Sequence, residues 1–259
     1  MEKLPVSVTI ITLNEEKDLP RALKSVQWAS EVIVVDSQSS DRTPEIAKAH
    51  GAKVVDEKWR GYGAQKNFAM NQCGNEWILN IDADEEVTED LKKEIAAIIQ
   101  NPKAANVYAV ARKTYYLGRW IRFGGWYPNY VTRLCRKSKS RWTEPAVHEE
   151  LKAEGQTEML KNPLNHYTFE NIADQVSTNV KYAKQGAENL RKKGRRFSFF
   201  LLLVKPPIKF LETYIFKLGC LDGLAGFIIS INAAHSMFMK YAFLYEDSLH
   251  EKQKNLSHR

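Results

Sequence analysis

Short apolar runs alternate with segments of helical period through the first hundred residues, and no other property of the chain narrows its fold so far. That alternation is the signature of βαβ units around a parallel sheet. Four strands are predicted, at residues 6–12, 31–35, 53–55 and 77–81, each apolar and bounded by polar or turn-forming residues. Between the first two, Leu19, Ala22, Leu23 and Val26 fall at helical spacing. Before the third, Thr43 is placed to cap a helix with Pro44 at its first position, where the missing N–H costs nothing, and Glu45 faces the positive helix end. After the fourth, Thr88 begins a helix with Glu89 and Asp90 in its first turn. Its apolar stripe is Leu91, Ile95, Ile98 and Ile99, and Asn101-Pro102 ends it.

From about residue 107 to 164 the pattern changes to short strand-like pieces rich in aromatics and turns, including Gly124-Gly125-Trp126 and Tyr127-Pro128-Asn129. A helix is predicted over 171–193. The chain of 259 residues, 44% hydrophobic, is long enough for one main domain with an add-on. The expected division is a domain over 1–170, made of halves 1–105 and 106–170, and a helical region over 171–259.

The net charge of +7 suits a polyanionic partner, and its placement narrows the choice. The densest basic run, Arg191-Lys192-Lys193-Gly194-Arg195-Arg196, directly precedes the apolar run Phe197 to Val204. This juxtaposition favours a lipid surface over nucleic acid, which calls for charge alternating with exposed stacking aromatics. A spanning helix needs roughly 20 predominantly apolar residues. The longest charge-free window, 223–239, falls short and contains Asn232 and His235. Helices lying in a membrane interface are expected, with core helices of the globular domain as the alternative. Cys73, Cys135 and Cys220 have neither metal-ligand nor redox spacing, which points to reduced thiols. By Val6 the chain already reads as a strand, so secretion by a signal peptide is not expected.

Ligands of open parallel sheets bind beyond the carboxyl ends of the strands. Here those ends are acidic: Thr12-Leu13-Asn14-Glu15, then Asp36 to Asp41, then Asp82-Ala83-Asp84-Glu85. Any one of these could be a turn or a cap. Carboxylates gathered on one rim of a basic protein instead point to a bound cation, and Mg²⁺ or Mn²⁺ is typically held by one or two carboxylates together with substrate phosphates. The chain has neither G-x-G-x-x-G after its first strand nor G-x-x-x-x-G-K-[ST], which leaves dinucleotide folds and P-loop enzymes unsupported.

Val8 to Glu16, Val34-Val35-Asp36-Ser37, Ser40-Asp41-Arg42-Thr43 and Asn80 to Glu85 together resemble the family 2 inverting glycosyltransferases, over roughly residues 5–166. The resemblance implies the A-type fold, α/β with a Rossmann-like nucleotide-sugar-binding sheet, here with a helical membrane-associating C-terminal extension. It implies that Thr12, Asn14, Glu15 and Asp36 surround the nucleoside, with Asp36 reading the base. Asp82 and Asp84 match the family's Asp-x-Asp pair, Asp84 carrying the metal that bridges the donor diphosphate. Gly63, Lys66 and Asn67 lie where the family often contacts the nucleotide, and they equally suit an ordinary helix start.

Thr132-Arg133-Leu134-Cys135-Arg136, then Trp142 and Pro145 to Leu151, resemble a narrower group, the lipopolysaccharide core glycosyltransferases of the WaaE or KdtX type. Arg133 and His148 are then expected at the substrate, with a structural histidine as the alternative at 148, and Glu149 in the region of the catalytic base; Glu150 beside it is the alternative. His166 is a candidate to reach the metal, or a structural histidine. Asp222-Gly223-Leu224-Ala225-Gly226-Phe227 also resembles the end of this group. The resemblance implies a metal-dependent, inverting hexosyltransferase, peripheral at the cytoplasmic face of the inner membrane. Its partners would be a nucleotide-sugar donor, foremost a UDP-sugar, a lipid-linked saccharide acceptor of the lipopolysaccharide inner core, and an anionic membrane surface. A polyprenyl phosphate or another glycan as acceptor, and a non-catalytic nucleotide-sugar or anionic-lipid binder, are the rival readings.

Overall fold

A computed structural model describes residues 3–144, 149–169 and 171–257. The chain divides into two compact units, one of residues 1–113 and 129–167, the other of 114–128 and 168–259. Segment 114–128 therefore joins the C-terminal helices, a departure from the linear division at residue 170 that local patterning gives no means to foresee.

The first unit begins with the expected alternation: β1 (Leu4–Thr12), α1 (Leu19–Ser25), β2 (Ala29–Asp36), α2 (Thr43–Ala49), β3 (Lys53–Asp56), α3 (Tyr62–Asn71) and β4 (Trp77–Asp82). Strands β3, β2, β1 and β4 lie side by side in that order, all parallel. The short β5 (Glu85–Glu86) and α4 (Glu89–Gln100) follow, then β6 (Val107–Tyr116), β7 (Arg119–Trp120) and β8 (Tyr130–Arg136). Strand β8 runs antiparallel between β4 and β6, so the sheet becomes mixed just past the last parallel strand. The remaining strands are β9 (Ser140–Trp142), β10 (Leu151–Ala153), β11 (Thr157–Met159) and β12 (Leu164–Phe169). Strand β9 pairs with β10, and β12 with β5.

Both faces of the parallel strands are covered, which is why these strands are nearly continuous apolar runs. Val6, Val8 and Ile10 pack with Leu19 and Leu23 of α1 and with Leu91 and Ile95 of α4. On the opposite face Ile33, Val35 and Ile78 meet Ala69 and Met70 of α3 and Trp142 of β9. Each such fully buried aliphatic side chain contributes about 1.5 to 3 kcal/mol. Thr88 caps α4, its hydroxyl accepting from the Leu91 N–H at 3.2 Å. Thr43 does not act as the cap of α2, because it is already the first helical residue; its hydroxyl instead accepts from the Glu15 N–H at 2.8 Å and donates to Asp41.

In the second unit α5 (Ile172–Lys192) and α6 (Phe199–Leu211) each pack against α7 (Gly223–Ser257). Asn171 caps α5 by accepting from the Asp174 N–H at 3.0 Å. Asp222 is buried and accepts the Phe123 N–H at 2.8 Å and the Arg122 N–H at 3.1 Å, fastening segment 114–128 to the start of α7. At Gly226, in the first turn of α7, a Cβ would stand 1.8 Å from the Gly219 carbonyl oxygen, so only glycine permits this close approach. Among the described residues no single helix is long and apolar enough to cross a membrane; Phe199–Phe216 and Gly219–His250 pass such a test only as a pair bent by 71°. Phe200, Phe216 and Leu224 are 69, 80 and 73% exposed, a degree of apolar exposure unusual for core helices.

Candidate active site

The site gathers at the carboxyl ends of β1, β2 and β4. Asp36, last residue of β2, is buried and accepts from the Thr12 hydroxyl at 2.9 Å, the Ser39 N–H at 2.8 Å and the Ser39 hydroxyl at 2.6 Å. Asn14, with φ of 57°, closes the turn after β1 in the left-handed region that asparagine tolerates. Its N–H donates to Ser39 Oγ at 2.8 Å, and its side-chain oxygen accepts from the Ser40 N–H at 2.8 Å. Four of the expected residues, Thr12, Asn14, Glu15 and Asp36, thus belong to two loops sewn together by polar bonds. Burial first, then the carboxylates of Asp84, Asp18, Asp41 and Asp82, push the Glu15 acid up to about 7.

Asp82 ends β4 and Asp84 lies two residues beyond it, and the two face different partners. Asp82 pairs with the guanidinium of Arg133 on β8, which also holds the buried Glu85. Glu85 in turn accepts the Asp82 N–H at 2.9 Å, and Arg112 on β6 lies 3.9 Å from it. Burial works against the Asp82 charge, yet Arg133, with Lys66 and Arg112, holds this carboxylate well below the usual range. Glu85 is displaced the other way, by burial and by the charges of Asp82 and Asp84, because one guanidinium is divided between two acids. Arg133 is buried and paired with these two carboxylates, and it also lines the cavity into which Asp82 faces. The acidic run Asp82-Ala83-Asp84-Glu85 contains Glu85 but gives it no role of its own; the structure makes it the buried second partner of Arg133.

Lys66, on α3, joins the acidic rim to the segment after β9. Its ammonium lies 2.9 Å from Glu149 Oε1 and 3.9 Å from Asp82 Oδ1, and sits over the Trp142 ring at 4.5 Å. The three charged groups line a cavity of about 590 Å³ with Arg112, Tyr130 and Thr132. Two neighbours on α3 build this junction. A Cβ at Gly63 would stand 1.9 Å from the Thr143 carbonyl oxygen, so glycine alone allows the approach. Asn67 accepts the Trp142 N–H and donates to the Trp142 carbonyl, both at 2.9 Å. Both residues therefore hold the segment that carries Glu149, and neither lines the cavity. Glu150 is exposed and paired with Lys152 at 2.7 Å. His148 lies outside the described residues.

Asp84 Oδ2 is 3.2 Å from His166 Nε2, and the Asp84 carbonyl accepts the Tyr167 N–H at 2.9 Å. The pairing of β12 with β5, which sets His166 opposite Glu85, brings the two together. Among the described residues no group of three or more His, Cys, Asp or Glu forms a metal cage. The Asp84 carboxylate fits an ion such as Mg²⁺ or Mn²⁺ that takes its other ligands from phosphate and water, and the His166 imidazole beside it suits the softer Mn²⁺ better than Mg²⁺. Cys73, Cys135 and Cys220 are free, the first two buried.

A mixed α/β sheet with an acidic rim beyond its parallel strands and a polar cavity beside it is the architecture of the A-type class. A family profile described as glycosyl transferase family 2 matches residues 7–151, and the chain belongs to that family. It is 32% identical to the lipopolysaccharide core biosynthesis glycosyltransferase LpsC of Rhizobium meliloti, over 94% of this chain and 93% of that protein. An uncharacterized glycosyltransferase of Rickettsia typhi is 34% identical, over 97% of this chain and 89% of the relative. Among solved structures, residues 1–349 of S. aureus TarS in complex with UDP-GlcNAc superpose with a TM-score of 0.50 at 18% identity, covering 97% of this chain and 92% of that one. That likeness speaks to the fold.

Proposed function

We propose that this glycosyltransferase moves a hexose from a nucleotide-diphosphate sugar, foremost a UDP-sugar, to a membrane-anchored saccharide of the lipopolysaccharide inner core, with inversion at the anomeric carbon. The observation that carries the reading is Lys66, which links Asp82 on the donor rim to Glu149 through contacts of 3.9 and 2.9 Å in one cavity. The near full-length relation to LpsC supports the acceptor, and the complex of TarS with UDP-GlcNAc supports the donor.

In this reading the Thr12, Asn14, Glu15 and Asp36 loops receive the nucleoside, Asp36 presenting a fixed acceptor to the base. Asp84 with His166 would hold Mg²⁺ or Mn²⁺, whose charge, when bound, offsets that of the diphosphate leaving group. The Arg133 clamp keeps Asp82 ionised and oriented. Lys66 offers a cation that a diphosphate can draw away from Glu149. Glu149, so released, accepts the proton of the acceptor hydroxyl as that oxygen attacks the anomeric carbon from the face opposite the departing diphosphate. Donor binding then releases the base, so Glu149 becomes competent only when a donor is in place. We place the enzyme at the cytoplasmic face of the inner membrane, peripherally bound through the exposed apolar residues of α6 and α7.

The test is purified protein incubated with UDP-, GDP- and ADP-sugars, with and without Mg²⁺ or Mn²⁺, and with lipopolysaccharide core or polyprenyl phosphate as acceptor. Metal-dependent transfer from a UDP-sugar to core saccharide, with inverted product, is expected. Transfer only to polyprenyl phosphate would overturn the acceptor, and binding of the donor with neither transfer nor hydrolysis would overturn the enzyme reading.

A further inference from the structure

The second unit contains a cavity of about 340 Å³, separate from the residues of the acidic rim, between α5, α6 and α7. Its size falls within the range of small-molecule sites. Lys240 from α7 and Lys209 from α6 both line it, and none of its lining residues is acidic. Among the described residues no carboxylate pairs with Lys240, which is half-buried. Lys209 shares Glu212 with Lys217, at 3.0 and 2.6 Å, so one acid serves two ammonium groups. Gly186 on α5 makes room for the arrangement: a Cβ there would meet Lys240 Cδ at 2.9 Å. A half-buried ammonium without an anion is costly to keep. Burial, then Lys209 and Lys205, already weaken its hold on its proton.

The rest of the wall is mixed. Asn179, Ser236 and Gln175 supply polar groups, while Ile229, Met237 and Trp126 are apolar. The ligand chemistry that answers this lining is an anionic group carried on an apolar body. Beside it, α6 exposes Phe199, Phe200, Leu203 and Ile208 on the same helix that carries Lys205 and Lys209.

We propose that this cavity is a binding site for the phosphate of an amphiphilic lipid, seated between Lys240 and Lys209 with its apolar part against Ile229, Met237 and Trp126. The site deepens the reading of α6 and α7 as membrane-facing and gives the unit a specific lipid contact in addition to general electrostatic attraction.

The test uses the full chain, with short-chain phosphatidic acid and inorganic phosphate as soluble probes and phosphatidylcholine vesicles with and without phosphatidylglycerol as the membrane arm. Wild type should bind the short-chain lipid more tightly than inorganic phosphate. Lys240→Met should weaken lipid binding about ten- to a hundredfold, the loss expected for one charge-assisted contact. Its melting temperature in the absence of lipid should stay level or rise, because an unpaired half-buried charge has gone; a merely structural lysine would give a fall. Lys184→Gln, exposed on α5, should bind as wild type. Unchanged lipid binding by Lys240→Met overturns the proposal, as does inorganic phosphate binding as tightly as the lipid. If the soluble lipid binds through Lys240 while neither vesicle captures the protein, the site stands and the membrane-facing reading falls. Equal capture of wild type and Lys240→Met by anionic vesicles, with no soluble-lipid binding by either, leaves the membrane reading and removes the site.

Discussion

Replacing Glu149 by Gln isolates the proton-accepting role with little disturbance of shape. Glu149 Oε1 lies 2.9 Å from Lys66, and the two side chains are 19 and 9% exposed. The amide oxygen of Gln can still accept from the ammonium, and Asp82 at 3.9 Å remains to balance it, so the pocket should persist. The charge-assisted part of one hydrogen bond is lost, a stability change of about 1 to 2 kcal/mol that leaves the protein folded. The chemical cost is larger. A general base contributes about 10² to 10⁴-fold, so the barrier should rise by roughly 2.7 to 5.4 kcal/mol. Single-turnover transfer should fall by that factor, while donor binding, followed by calorimetry, should hold or tighten because Lys66 no longer has a carboxylate to leave. Glu150→Gln, at the exposed neighbour paired with Lys152, should keep near wild-type turnover. Near wild-type turnover in Glu149→Gln with loss in Glu150→Gln would move the base by one residue. Full activity in both would remove it from this segment, and weaker donor binding in Glu149→Gln would refute the competition for Lys66.

Three further outcomes are expected. Asp84→Ala should abolish the effect of Mg²⁺ or Mn²⁺ on donor binding with the circular dichroism spectrum unchanged; donor binding with unaltered metal dependence would refute its role as a ligand. Arg133→Met strands Asp82 and Glu85 without their cation, so unfolding by denaturant should show a loss of about 3 to 5 kcal/mol, and a loss below 1 would show that the clamp is dispensable. Glu15 ionises near 7 in the folded chain against about 4.5 unfolded, so between those values the folded state holds the extra proton. Stability should therefore fall as pH rises through this window, and Glu15→Gln should flatten the slope; an identical pH profile in the variant would refute the assignment.

The parallel half of the fold was legible because its signals are local. Strand ends at Thr12, Asp36 and Asp82 coincide with the change from apolar to acidic residues, and Thr88 caps its helix as its spacing implies. The acidic rim followed from the same pattern. What could not be seen was long-range pairing. Nothing in Gly63 or Asn67 announces contact with residues 142 and 143, and nothing in Arg133 announces that its charge is divided between Asp82 and Glu85. Both depend on which strands the sheet sets side by side. Thr43 departs from its local pattern for a related reason: its hydroxyl serves the loop after β1, 28 residues earlier, in place of its own helix end. Segment 114–128 changes unit through Asp222, a hundred residues farther on, which no local pattern encodes.

The seam between the first two rim loops carries a consequence for how such enzymes diversify. Thr12, Asp36 and Ser39 share hydrogen bonds, as do Asn14, Ser39 and Ser40, so few of these positions can change alone. Substitutions within one such network are strongly non-additive, with coupling of about 0.5 to 3 kcal/mol. A variant at Asp36 inherits a hydroxyl from Thr12 with no partner, and repairing it takes a second change before the first becomes tolerable. Routes to a new preference at this rim are therefore narrow and ordered.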